Sequence, residues 1–119
     1  MIYEDIQGTF GRREKVHIVE HRRFESDMRR HFIGEVQFYD ADHLRVRGFL
    51  FVFDHGRGEF VRVPPERTRV FSIDNRISIT VLPKEFDLAS ATYRRTGPDL
   101  VFTDGKSTEL DVGAFSSHG

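Results

Sequence analysis

Cysteine is absent from the 119-residue chain, and so is tryptophan. Without thiols there can be no disulfide, no thiolate nucleophile and no thiolate metal ligand. Methionine occurs twice against twelve phenylalanines, so flat rings rather than adaptable thioethers must fill the interior or supply contact surfaces. Long hydrophobic runs are also missing. The longest uncharged apolar stretch, Gly48 to Phe53, has six residues, far fewer than the roughly 20 that a membrane helix needs. Met1 to Gln7 is acidic and has neither a basic start nor an apolar run, so no secretory signal is expected. The expected location is cytoplasmic, with no membrane partner.

Neither sign of charge dominates. Eighteen basic residues face nineteen acidic ones, a formal net charge of −1, so bulk attraction to nucleic acid is not expected of the chain as a whole. The distribution is less even: seven Arg or Lys oppose four acids between Arg12 and Arg30, and acids prevail near the C-terminus. Hydrophobic residues make up 38% and charged residues 31%, enough apolar material for one core in a chain of single-domain size. No repeat, low-complexity tract or linker divides it, so residues 1–119 are expected to form one domain. Residues 1–14 read as an irregular arm and 116–119 as a flexible tail.

Period-two patterning with β-branched and aromatic residues predicts strands in most of the rest. Lys15 to Phe24 reads as a strand around Val16, Ile18 and Val19. The four-residue spacing of Phe24, Met28 and Phe32 leaves open a short amphipathic helix over 20–30. Residues 32–38 alternate around Gly34, Asp40 to His43 supply a turn, and Leu44 and Val46 alternate with Arg45 and Arg47. Beyond Gly48 the segment Phe49 to Phe53 is apolar on both faces, so it either lies under a covering element or forms an interface. Asp54 to Gly58 reads as a hairpin turn leading into Glu59 to Val63, where Pro64 and Pro65 are expected to stop the strand. Arg69 to Ile73 and Ile77 to Leu82 flank a polar turn at 74–76. A short helix is expected within 84–93, with Asp87 as its cap and Leu88, Ala89 and Ala91 behind it. Leu100 to Thr103 and Glu109 to Val112 flank Asp104-Gly105, a hairpin signal. Seven or eight short strands with close turns predict an antiparallel, mostly β barrel or sandwich.

Arg30 to Asp40, with Gly34 in mid-strand and Asp40 closing it, followed by Leu44-Arg45-Val46, resembles the second and third strands of Sm-like small barrels. Arg67 to Ile73 would stand for a later strand, and the resemblance spans residues 15–82. It implies a small antiparallel barrel, Sm-like or SH3-like, with an appended C-terminal hairpin and one short helix. It further implies ring assembly and RNA binding. The Asn expected after the aspartate for nucleobase contact is absent, and His43 stands nearby.

No catalytic motif is recognisable, and no cofactor or metal is expected. On a strand, His17 and His21 are separated by about 13 Å, too far to share an ion, and they are expected to face solvent. Asp40, Asp42 and His43 read as a polar turn, with hard-metal ligands or an acid–base cluster as the alternative, and Asp54 and His55 as part of a hairpin turn, with a base beside an anion-binding backbone nest at Gly56 and Gly58 as the alternative. The best functional signal is arginine. The doublets Arg22-Arg23 and Arg29-Arg30, with Arg45 and Arg47, point to an arginine-lined surface for RNA or another polyanion, the bland alternative being a solvated face paired with Glu20, Glu25 and Asp27. The competing expectation is a protein-interaction domain that forms a homo-oligomer through Phe49, Phe51 and Phe53.

Overall fold

A computed structural model describes residues 13–97, 99–106 and 109–111. The arm before residue 13 and the tail after residue 111 lie outside the described residues. The chain is mostly β and antiparallel, in two sheets. Strands β1 (Lys15–Glu20), β2 (Arg30–Tyr39), β3 (His43–Asp54), β4 (Glu59–Ser72) and β5 (Ile77–Leu82) form the first sheet, in the order β4-β3-β2-β1-β5. Strands β6 (Thr92–Thr96), β7 (Asp99–Thr103) and β8 (Glu109–Asp111) form the second.

The first sheet is a four-strand meander whose fifth strand returns beside the first. It has two apolar faces because its strands carry apolar residues at both parities. Val16, Ile18, Phe32, Val36, Leu44, Val46 and Phe71 form one core on the inside of its curl, flanked by Ile77, Ile79 and Val81. Ile33, Phe51, Phe60 and Leu82, on the other face, pack against Phe86, Ala91, Tyr93, Leu100 and Phe102 of the following segment and the second sheet. The molecule therefore has two cores that share one sheet as their wall.

The close approach of β2 and β3 depends on glycine. Gly34 and Gly48 are cross-strand partners, and a Cβ on Gly48 would overlap the Ile33 carbonyl and stand 2.5 Å from the Gly34 Cα.

Several expectations need correction. The first sheet is not a closed barrel: β4 and β5 are its edges, and no ladder joins them among the described residues. Side chains reach across the open side of the curl instead. Across it Arg69 of β4 forms a two-pronged salt bridge with Glu20 of β1, at 2.7 and 3.4 Å. Pro64 and Pro65 do not stop the strand. They sit where the register shifts between Gly48 and Leu50 of β3, a bulge that needs no ladder hydrogen bond from either, and β4 runs on to Ser72. The Arg67 guanidinium donates to the carbonyls of Val63, Pro64 and Pro65 at the bulge.

The expected helix over 84–93 is one 3-10 turn, Leu88–Ser90, capped by the Asp87 carboxylate on the Ala89 amide. With Thr92 and Tyr93 already committed to β6, too few residues remain for a longer helix. Residues 21–29 are turns, not helix, with the Asp27 carboxylate accepting from the amides of Arg23 and Phe24 at 3.1 Å each. Asp104-Gly105 begins a longer loop, since β7 ends at Thr103 and β8 starts at Glu109. No helix among the described residues is long and apolar enough to cross a membrane.

Candidate functional site

Two polar constellations stand out, one on the surface and one in the core between the sheets. The surface constellation is built by the β1–β2 loop and the curled faces of β2, β3 and β4. Arg30 begins β2 on the face opposite His31, so its side chain lies beside Leu50 and Val52 of β3 and Val63 of β4. With Met28, Arg67 and Arg69 these residues line an open recess of about 430 Å³. A second recess of about 300 Å³, lined by Glu20, His21, Arg22, Asp27, Met28 and Arg30, adjoins it through the two shared residues. Together they form a groove with an apolar floor, four arginines and two carboxylates.

The arginines in it are not equivalent. Arg67 is committed to the bulge carbonyls and Arg69 to Glu20, whereas Arg22 donates only to the Glu25 carbonyl. Arg30 has no hydrogen-bond or salt-bridge partner among the described residues. It can therefore take an anionic ligand without breaking an internal bond.

The structure divides the arginines singled out from the sequence. It brings Arg22 and Arg30 into the groove and leaves Arg23 exposed beside it. Arg29 points to the other face, where its guanidinium lies 5.2 Å from the Phe53 ring, and desolvation lowers its pKa. Arg45 and Arg47 lie on the outer face of β3, Arg45 over Phe38 and Arg47 beside Glu66 and Thr68. In the sequence Arg67 and Arg69 are simply strand residues, since nothing local shows that β4 curls toward β2, where the Arg69 guanidinium lies 5.7 Å from the Phe32 ring.

Phe51 is 2% exposed, and Phe49 and Phe53 pack half-buried against the core between the sheets. Tyr93 of the second sheet and the segment 86–91, with a 3-10 turn in place of the expected helix, cover the aromatic strand. Arg62 reinforces the cover. Its guanidinium lies 4.0 Å from the Phe49 ring and donates to the carbonyls of Leu88, Ala89 and Ala91.

Asp54 and His55 form a turn: the Asp54 carboxylate accepts from the amides of Gly56 and Arg57, and His55 stands edge-on to Phe53. The Asp40 carboxylate likewise accepts from the amides of Asp42 and His43, hydrogen bonds that lower its pKa. Among the described residues no three His, Cys, Asp or Glu side chains are grouped to hold a metal ion.

The buried constellation joins His17, His31 and Tyr93. The Tyr93 hydroxyl lies 2.9 Å from His17 Nε2 and 2.7 Å from His31 Nδ1. A hydroxyl has one proton, so it donates to one imidazole and accepts from the other. The second nitrogens, His17 Nδ1 and His31 Nε2, are buried without a partner. Aromatic rings enclose the group, with Phe60 stacked on His31 at 4.2 Å and Phe102 against His17 at 4.6 Å.

Burial disfavours charge here. Desolvation, then His31, holds the His17 pKa well below its ordinary value; desolvation, then Arg29, lowers that of His31 to about 3. Desolvation raises that of Tyr93. All three groups are neutral at pH 7.

His17 is thus 1% exposed, not solvent-facing, and His21 bonds Ser78 Oγ at 2.7 Å instead of sharing a ligand with it. His31 and Tyr93 carried no sequence signal of their own. Their neighbours did: Val16, Ile18 and Val19 around His17, and Phe32 and Ile33 after His31, are apolar at both parities, so both faces of these strands must be covered.

No protein-family model, curated protein or solved structure matches this chain.

Proposed function

We propose that the protein is a non-enzymatic binding module that takes the phosphate backbone of RNA in the groove beside the β1–β2 loop. The observation that carries this reading is Arg30, whose side chain has no partner among the described residues and stands over an apolar floor beside Arg22, Arg67 and Arg69. The two fixed guanidiniums set the local field, and Arg30 and Arg22 make the contacts. Reading the first sheet as an opened small barrel of Sm-like or SH3-like kind draws support from its extent, since Lys15 to Leu82 is also the span of the resemblance.

The test is a fluorescence-anisotropy titration of labelled single-stranded RNA at about 50 and 200 mM salt. Wild-type binding is expected to weaken steeply with salt. Arg30→Glu is expected to lower affinity at least about tenfold, because one ionic contact becomes a repulsion. Arg45→Glu, the same charge change on the outer face, should alter it less than about threefold. Absence of binding at low salt, or equal losses in the two variants, overturns the reading.

A further inference from the structure

The two cores differ in one respect that bears on regulation. The buried residues of the core inside the curl of the first sheet are all aliphatic or phenylalanine, with Tyr39 at its edge, whereas His17 and His31 lie in the core between the sheets, held by the hydroxyl of Tyr93. We propose that this group is an acid-released latch: taking up protons at His17 and His31 detaches the second sheet and uncovers the Phe49–Phe53 face, while the first sheet stays folded on its own core.

The physical argument begins with the two orphan nitrogens. In either tautomeric arrangement one of them is an unprotonated acceptor facing aromatic carbon, and a proton added to it creates an imidazolium whose new N–H has nothing to bond. Desolvation and neighbouring positive or histidine groups are what act on the two imidazoles, and both push toward the neutral form. The charged groups on this face are Lys15, which donates to the carbonyls of Lys84 and Phe86, and Glu35, its register partner on β2. Arg29 acts on His31 and lowers its proton affinity further. Arg62 is held by the carbonyls before β6, and the Asp104 carboxylate, at the end of β7, accepts from the amides of Asp87 and Lys106.

With the second sheet detached, both imidazoles meet water and regain the ordinary histidine proton affinity, near pH 6.5. The sign follows: the open form binds more protons than the closed form below that pH, so acid favours opening. Between pH 7 and 5 the opening constant should rise about 25-fold per histidine, and about 600-fold for the two together. What opens is set by packing. Val16, Ile18, Phe32, Val36, Leu44, Val46 and Phe71 lose no contact with β6–β8, because they face the other way.

The experiment is native-state hydrogen exchange read by mass spectrometry at pH 7.0, 6.0 and 5.0, corrected for intrinsic exchange rates. Protection in residues 92–103 is expected to fall steeply with acid while the β1–β2 and β2–β3 ladders keep theirs, and binding of a hydrophobic dye should rise in parallel. His17→Gln/His31→Gln, whose amides do not titrate, should lose the pH dependence. Should that variant not fold, the wild-type slope decides by itself, approaching a hundredfold per pH unit below pH 6 for two protons. Loss of protection in both sheets together, or opening that does not change between pH 7 and 5, overturns the proposal.

Discussion

Replacing Gly48 by alanine is expected to destabilise the protein by about 4 kcal/mol or more, close to the whole stability of many domains of this size. The added methyl would meet the Ile33 carbonyl and the Gly34 Cα, both backbone atoms of the partner strand, so no side-chain rotation can relieve it. Strands β2 and β3 would have to separate at the centre of the first sheet, disturbing both cores at once. Gly58→Ala is the comparison. That residue has a positive φ of 68° but open space around its Cα, so its cost should stay near 1–2 kcal/mol. Thermal unfolding followed by circular dichroism distinguishes the two. The Gly48 variant should unfold at least about 12 °C below wild type or fail to fold. A loss no larger than that of Gly58→Ala would show that the strands do not require the close approach.

Tyr93→Phe is expected to cost about 2–4 kcal/mol, although it removes a single oxygen atom. The ring keeps its contacts with Phe51, Phe60 and Phe102, at centroid distances of 5.1, 4.7 and 5.0 Å, so packing barely changes. Lost instead is the hydrogen-bond partner that both buried imidazoles share, which leaves two further polar nitrogens unsatisfied in an apolar enclosure. Tyr39→Phe is the control, since that residue is half-buried at the edge of the other core. Urea midpoints at pH 7.5 should separate the two variants clearly with unchanged slopes. Equal midpoints would mean that the hydroxyl does not hold the sheets together.

Much of the first sheet is legible in the sequence because its determinants are local. β-branched residues mark the strand that starts at Lys15, though it ends at Glu20 and not at Phe24, alternation over residues 32–38 marks β2, and the aspartates at 40, 54 and 74 mark the turns by accepting backbone amides two or three residues on. The misreadings concern features in which distant segments decide. Pro64 and Pro65 stop a strand in isolation, but opposite the register shift in β3 they fit a bulge. The segment from Phe49 to Phe53 leaves cover or interface open in the sequence, and the cover comes from the last third of the chain. Of the groove, Arg22 and Arg30 were legible as basic residues beside a strand; that Arg67 and Arg69 join them depends on the curl of β4.

The sequence by itself determined that the chain is β, antiparallel, free of thiol chemistry and rich in aromatic rings, since composition, period and turn chemistry act over a few residues. Tertiary structure alone decided what those rings enclose. His17 and Tyr93 are 76 residues apart, and His31 and Tyr93 are 62 apart. Only the packing of the second sheet on the first gives both histidines one hydroxyl and no water, because burial is a property of the assembled layers rather than of any one strand.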